Sequence, residues 1–198
     1  RLVRDLLDLA RLDAREFSFD LRTVDIAEVV ADTALGFRPA ADSAGVGLHV
    51  TGPGGGVAWA LVDPDRLAQA VANLVENALK YATANVWVDL RSRVPEPSPG
   101  APPTVGSFGG TDDADTRWLV GVADDGPGIA AADATHVFDR LYVTDRRPVR
   151  QVGGTGLGLA IVRELVAGMG GQSWAEAPTD PAAHGTRLVL DLPGAPGR

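Results

Sequence analysis

The sequence predicts a two-layer α/β sandwich, a mixed and mostly antiparallel sheet with helices on one face. Three observations predict it. Apolar residues recur at helical spacing in four stretches, and short alternating strands bounded by Gly or Pro lie between them. Helices and strands are mixed without the strict strand–helix–strand order of a parallel fold. Of the 198 residues, 45% are hydrophobic, enough to bury one core.

Residues 1–14 set Leu2, Leu6 and Leu9 on one helical stripe with Val3, Leu7 and Ala10 beside it. So short a helix needs a partner for that stripe, either its own domain or a helical bundle. The chain begins at Arg1-Leu2-Val3, already inside this pattern, and reads as a piece excised from something longer. Asp25-Ile26-Ala27-Glu28 is a capping box that opens a helix to about Phe37, with Pro39 as its stop. Strands over 47–50 and 59–62 flank a Gly-rich turn at 52–56. Asp63-Pro64 supplies a capping carboxylate and a first-turn proline for a helix to about Tyr81. Residues 86–91 and 118–123 alternate like strands. Residues 94–116, rich in Pro, Gly, Ser and Asp, predict a flexible loop between them, an inert insertion or else a proline-rich docking segment. A helix over 157–167 and strands near 173–176 and 187–192 close the chain.

The net charge of −8 argues against a nucleic-acid surface, yet permits an anionic ligand held by backbone N–H groups. The absence of cysteine excludes disulfide scaffolds, thiolate metal sites and cysteine nucleophiles. No apolar run is long enough to cross a bilayer and no signal peptide stands out, so the chain reads as soluble.

Four segments carry the candidate chemistry. In Asn73-Leu74-Val75-Glu76-Asn77-Ala78-Leu79-Lys80-Tyr81, helical spacing puts Asn73, Asn77 and Lys80 (the only lysine) on one face. Leu67, Val71, Leu74 and Ala78 lie on the core side. Two amides and a cation suit a metal–phosphate complex; a solvated polar face is the simpler alternative. Asp124-Asp125-Gly126-Pro127-Gly128-Ile129 follows a strand. Its glycines let a ligand approach and Asp124 can accept a hydrogen bond from an amine, but acidic glycine turns are also common on their own. Gly153-Gly154-Thr155-Gly156-Leu157-Gly158-Leu159 runs into a helix, whose N-terminal N–H groups and dipole favour phosphate. It fits neither the Walker pattern nor the dinucleotide fingerprint. His184-Gly185-Thr186-Arg187-Leu188 alone says only that the chain turns.

In this order and spacing the four segments resemble the GHKL superfamily, which includes gyrase, the heat-shock-90 chaperone, histidine kinases and mismatch-repair ATPases and shares the Bergerat fold. Within it the resemblance is to sensor histidine kinases of two-component systems. The N box looks like Asn73 to Tyr81, the first glycine box like Asp124 to Ile129, and the second like Gly153 to Leu159. The F box looks like Val137-Phe138-Asp139-Arg140-Leu141-Tyr142, and the last box like Gly185-Thr186. Leu9-Ala10-Arg11-Leu12-Asp13 looks like the end of the family's dimerisation bundle. The resemblance divides the chain into the truncated end of that bundle at 1–16 and an ATP-binding catalytic domain at 17–194, with a lid at about 130–152.

The resemblance implies roles for particular residues. Asn77 would ligate Mg²⁺ and Asn73 would support the triphosphate and metal, with Lys80 and Tyr81 near phosphate and ribose. Asp124 would read adenine, with Gly126, Gly128 and Ile129 shaping the approach and Thr186 helping through water. The turn at Gly154, Thr155, Gly156, Leu157 and Gly158 would hold phosphates. Phe138 would anchor the lid, and Arg140, Arg150 or Gln151 would reach the phosphates. The implied partners are ATP, the phosphoacceptor helical domain and a response-regulator receiver domain, in a homodimeric parent. The implied location is a cytoplasmic domain of a plasma-membrane sensor. The sequence departs from the family in its 94–116 insertion and in lacking an acceptor histidine on a helix. His49, His136 and His184 fall in a strand, the lid and a turn. Rival readings are an anti-sigma-factor-type serine kinase, a gyrase-type ATPase and a nucleotide-sensing module without catalysis. The leading helix counts against the first. Asn73, where the gyrase-type enzymes carry a catalytic Glu, counts against the second, and the intact polar boxes count against the third.

Overall fold

The computed structural model describes residues 18–54, 56–93, 116–140, 142, 156–176 and 185–195. The helix expected over 1–14, the insertion over 94–115, and Arg150, Gln151, Gly154, Thr155 and His184 lie outside them. The described elements are β1 (Arg22–Asp25), α1 (Ile26–Leu35), α2 (Arg38–Ala44), β2 (Gly47–Thr51), β3 (Trp59–Val62) and α3 (Pro64–Tyr81), then β4 (Asn85–Arg93), β5 (Arg117–Asp124), α4 (Ala131–Ala134), α5 (Gly158–Gly168), β6 (Gln172–Glu176) and β7 (Thr186–Pro193). Five strands form a sheet ordered β2-β4-β5-β7-β6, and β1 and β3 form a separate antiparallel pair. Only the β2–β4 pairing is parallel; the other neighbours in the large sheet are antiparallel. The predicted mixed sandwich is the observed one.

Alternation along the strands separates the two faces. Val86, Val88, Leu90, Trp118, Val120, Val122, Leu188, Leu190 and Leu192 are buried against α3 and α5. Among the described residues, the other face carries an ion-pair ladder. Arg187 Nη2 reaches Asp89 Oδ1 at 2.9 Å across β5, and Arg187 Nε meets Glu176 Oε2 at 3.2 Å. Gly121, between Asp89 and Val189 in the ladder, makes this possible: a Cβ there would collide with the Arg187 guanidinium.

The local signals explain most boundaries. Asp63 caps α3 by accepting from the N–H groups of Asp65 and Arg66 at 3.1 Å, with Pro64 in the first turn. Asp25 Oδ1 accepts from Ala27 N–H at 3.0 Å at the start of α1 and from Ala58 N–H at 2.9 Å. One expectation is corrected. The helix opened by Asp25 ends at Leu35, and Pro39 sits in the first turn of α2 rather than stopping α1. Proline in a first turn forfeits no intrahelical bond, so it starts a helix as readily as it stops one. β1 was not expected from the sequence; it exists because its partner β3 supplies the antiparallel register Arg22↔Val62 to Asp25↔Trp59.

Two contacts fix how the main helices run. The Phe19 ring lies against Gly168 at the end of α5, where a Cβ would overlap it. The neighbouring Asp20 N–H donates to Asp63 Oδ2 at 3.0 Å at the start of α3. The packed pair α3 and α5 therefore lies antiparallel, with the N-terminus of α5 at the C-terminal end of α3.

Candidate active site

That helix pairing brings the α3 and α5 segments to one end of the molecule, and the contacts of Gly126 with Tyr81 and of Gly128 with Gly185 bring the other two there. The polar face of α3 delivers Asn73, Asn77, Lys80 and Tyr81, all half-buried, while Leu67, Ala70, Val71, Leu74, Val75 and Ala78 fill the core. Lys80 Nζ stands 5.2 Å from the centroid of the Tyr81 ring. The N-terminus of α5 follows Gly156, whose φ of 68° is a left-handed conformation that favours glycine. Leu157 is buried and seats the helix start, and among the described residues nothing stands within 4 Å of the Cβ position of Gly158. As a helix N-terminus, the α5 start carries first-turn N–H groups and a positive dipole end of the kind that suits an anion.

Asp124 ends β5 opposite Thr186 of β7. It is only 7% exposed. Gly126 N–H donates to its Oδ1 at 2.8 Å, which fixes the carboxylate at the head of the glycine turn. Burial pushes its pKa up to about 6; the Gly126 N–H opposes this, the Asp125 charge adds to it, and the Thr186 N–H opposes it. A buried acceptor at a strand end is a group that an exocyclic amine would satisfy. Gly126 packs against the Tyr81 carbonyl with no room for a side chain, so the glycine turn touches the end of α3 directly. Gly128, at φ 77°, packs against the Gly185 carbonyl, which joins the turn to the entry of β7. Ile129 is half-buried against the core.

The F-box segment starts a second limb. Val137 and Phe138 are buried in the core. Asp139 accepts from Arg163 Nη1 of α5 at 2.7 Å and lies 2.9 Å from His136 Nδ1; the His136 bond first, then Arg163, hold its carboxyl below the usual range. Arg140 is exposed. The short helix α4 was not expected from the sequence.

The sequence reading assigned nothing to Asp125. Its carboxylate accepts from Thr83 N–H at 2.8 Å, from Ala84 N–H at 2.9 Å and from Asn85 Nδ2 at 3.3 Å. Partial burial would raise its pKa, but the N–H groups of Ala84, Asn85 and Thr83 and the Asn85 amide together hold it low. The available signal was the pair of acidic residues before Gly126; the short turn from α3 into β4 gave no sign of where the second one points.

Among the described residues no cluster of three or more His, Cys, Asp or Glu side chains could hold a metal, and no helix is long and apolar enough to cross a membrane. The amide oxygens on α3 are weak neutral ligands, a donor set suited to a cation that arrives with phosphate rather than to a resident ion.

Comparison with known proteins agrees with this geometry. The family model described as histidine kinase-, DNA gyrase B-, and HSP90-like ATPase matches residues 62–196. The chain is 30% identical over 197 residues to the sensor histidine kinase WalK of Bacillus subtilis, covering 98% of this chain and 28% of that protein. It is also 30% identical to the sensor-like histidine kinase SenX3 of Mycolicibacterium smegmatis, covering 98% of this chain and 44% of that protein. The chain thus spans less than half the length of these relatives. Among solved structures, full-length ShkA in complex with AMPPNP superposes with a TM-score of 0.74 and 28% identity, over 99% of this chain and 36% of that one. The mycobacterial sensor histidine kinase MprB superposes with a TM-score of 0.67 and 27% identity, over 89% of this chain and 100% of that one.

Proposed function

We propose that this chain, which belongs to the histidine kinase-, DNA gyrase B- and HSP90-like ATPase family, is the ATP-binding catalytic domain of a two-component sensor histidine kinase. It donates the γ-phosphoryl group of ATP to a histidine on a helical domain, for onward transfer to an aspartate of a response-regulator receiver domain. The observation that carries this reading is the antiparallel packing of α3 and α5. It sets the Asn77–Lys80 face, the dipole end of α5 and the buried Asp124 around one end of the fold.

Phosphoryl transfer asks a protein mainly for positioning and for neutralisation of charge. Asp124 accepts the adenine amine, and Thr186 assists beside it. Lys80 and the N–H groups at the start of α5, with the preceding residues Gly154 and Thr155, bind phosphate oxygens. Asn77, supported by Asn73, would hold a Mg²⁺, which would supply further positive charge to the transferring group. Phe138 roots the lid, from which Arg140 and Gln151 reach the phosphates, and closure excludes water. The nucleophile is an imidazole nitrogen on the partner helix. On this reading the chain is a cytoplasmic domain of a plasma-membrane, homodimeric sensor, in keeping with relatives named sensor histidine kinases.

His49 hydrogen-bonds Asn85 and stacks on Trp87, and His136 is bound to Asp139. Neither sits on a helix beside an acidic residue, as an acceptor should. Radiolabelled ATP with Mg²⁺, incubated with this chain and a separate helical hairpin carrying a His followed by Glu or Asp, should put acid-labile, base-stable label on the hairpin. The chain alone should stay unlabelled. Acid-stable label on the hairpin, or stoichiometric label on the chain alone, would contradict the reading.

A further inference from the structure

Asp125 has no part in the scheme above, yet its side chain links the two halves of the site. Its carboxylate binds Thr83, Ala84 and Asn85, the residues that follow the end of α3 at Tyr81. Its own N–H returns a bond to the Asn85 carbonyl at 3.3 Å. Asn85 is held in turn by His49 Nε2 at 3.1 Å from its Oδ1, and Gly47 leaves the room for that contact. On the other side of Asp125, Asp124 presents the base-reading carboxylate and Gly126 rests on Tyr81.

We propose that Asp125 is a positioning residue that fixes the spacing between the base subsite at Asp124 and the metal–phosphate subsite at Asn77 and Lys80. This rests on the nucleotide-site reading above. One subsite sits at the end of a strand and the other on the last turns of a helix. A nucleotide that engages both gains from the second contact only if their separation is already set. The second binding event is then intramolecular, and its advantage falls when the two parts move independently. Asp125 is a short, rigid tie between them. An aspartate is ionised at neutral pH without help, and the N–H groups around Asp125 lower its pKa further.

This role predicts an unusual split. Losing the tie should spare ligands that use one subsite and penalise the ligand that spans both. The experiment measures the affinities of adenosine and of Mg·ATP, by ligand-observed NMR and calorimetry, for the wild-type chain and for Asp125→Ala. A retained melting transition confirms that the variant is folded. Adenosine affinity should change less than about twofold, while Mg·ATP affinity should fall at least tenfold. Asp125→Asn keeps an acceptor for the Thr83 and Ala84 N–H groups and should recover part of the Mg·ATP affinity. Asn85→Ala, which removes only the side-chain link, should show a smaller loss of the same kind and carries the test if Asp125→Ala does not fold. Equal weakening of adenosine and Mg·ATP in the folded variants, or no weakening of either, would overturn the proposal. Failure of the wild-type chain to bind Mg·ATP would instead remove the nucleotide-site reading on which it depends.

Discussion

Gly185 lies against the main-chain carbonyl of Asp124 with no space for a side chain between them. Its φ of 127° is also a conformation that other residues adopt only with strain. The two residues thus meet because one of them has no Cβ, and the entry to β7 is pressed onto the strand end that presents the Asp124 carboxylate.

Gly185→Ala should therefore cost both stability and nucleotide binding. A strained backbone and an overpacked contact are each worth about 1–3 kcal/mol. Chemical denaturation should show a combined loss of about 2–6 kcal/mol with an unchanged denaturant slope. Calorimetry should show weaker ATP binding, because Asp124 and Thr186 are displaced together.

Asp124 also makes a prediction about pH. Its carboxyl titrates near 6 in the folded chain, above its ordinary value of 3.8, because burial penalises the charge. The protonated form is the one folding favours. The stabilisation from this group is therefore complete below about pH 4 and is lost as pH rises through about 6. The amount is on the order of 3 kcal/mol. An amine donor prefers the carboxylate, so ATP affinity should move the opposite way and fall as pH drops through about 6. Asp124→Asn should flatten both dependences. Thermal melts and ATP titrations from about pH 3.5 to about pH 7.5, a range that spans both the ordinary and the raised pKa, check the two trends together.

Asn77→Ala tests the metal assignment. A single amide oxygen is a weak ligand, so the chain alone should bind Mg²⁺ poorly. The variant should lose the difference between ATP affinity with and without Mg²⁺ while keeping most adenosine affinity. Transfer to a helical hairpin should fall at least a hundredfold, about 2.7 kcal/mol of transition-state stabilisation. Wild-type transfer by the variant would remove Asn77 from the metal site.

The legible parts of this fold were those written in local chemistry. The capping Asp63 with Pro64 fixed where α3 starts, and the spacing of Leu67, Val71, Leu74 and Ala78 fixed which face is buried. Asn73, Asn77 and Lys80 then fell on the opposite side without further information. What the sequence withheld depends on distant partners. β1 is a strand only because β3 lies beside it. Pro39 reads equally as a stop or a start until α2 is seen to follow. Gly121 looks like an ordinary strand glycine until Arg187 is seen to cross over it. Asp125 and Asp124 are adjacent and chemically identical, yet one is buried with its pKa raised and the other is wrapped in N–H donors with its pKa lowered. No local pattern separates them.

The central claim is that this site selects adenine through Asp124 while holding phosphate and metal at the ends of α3 and α5. Titration calorimetry of the chain with Mg·ATP and with Mg·GTP, repeated on Asp124→Ala, tests it most directly. GTP would set a carbonyl oxygen where Asp124 needs a donor, and an unmatched buried charge costs more than about 1–3 kcal/mol. The wild-type chain should bind Mg·ATP at least tenfold more tightly than Mg·GTP, and Asp124→Ala should erase most of that preference by weakening ATP. Equal affinity of the wild-type chain for the two nucleotides, or a preference that survives in Asp124→Ala, would contradict it.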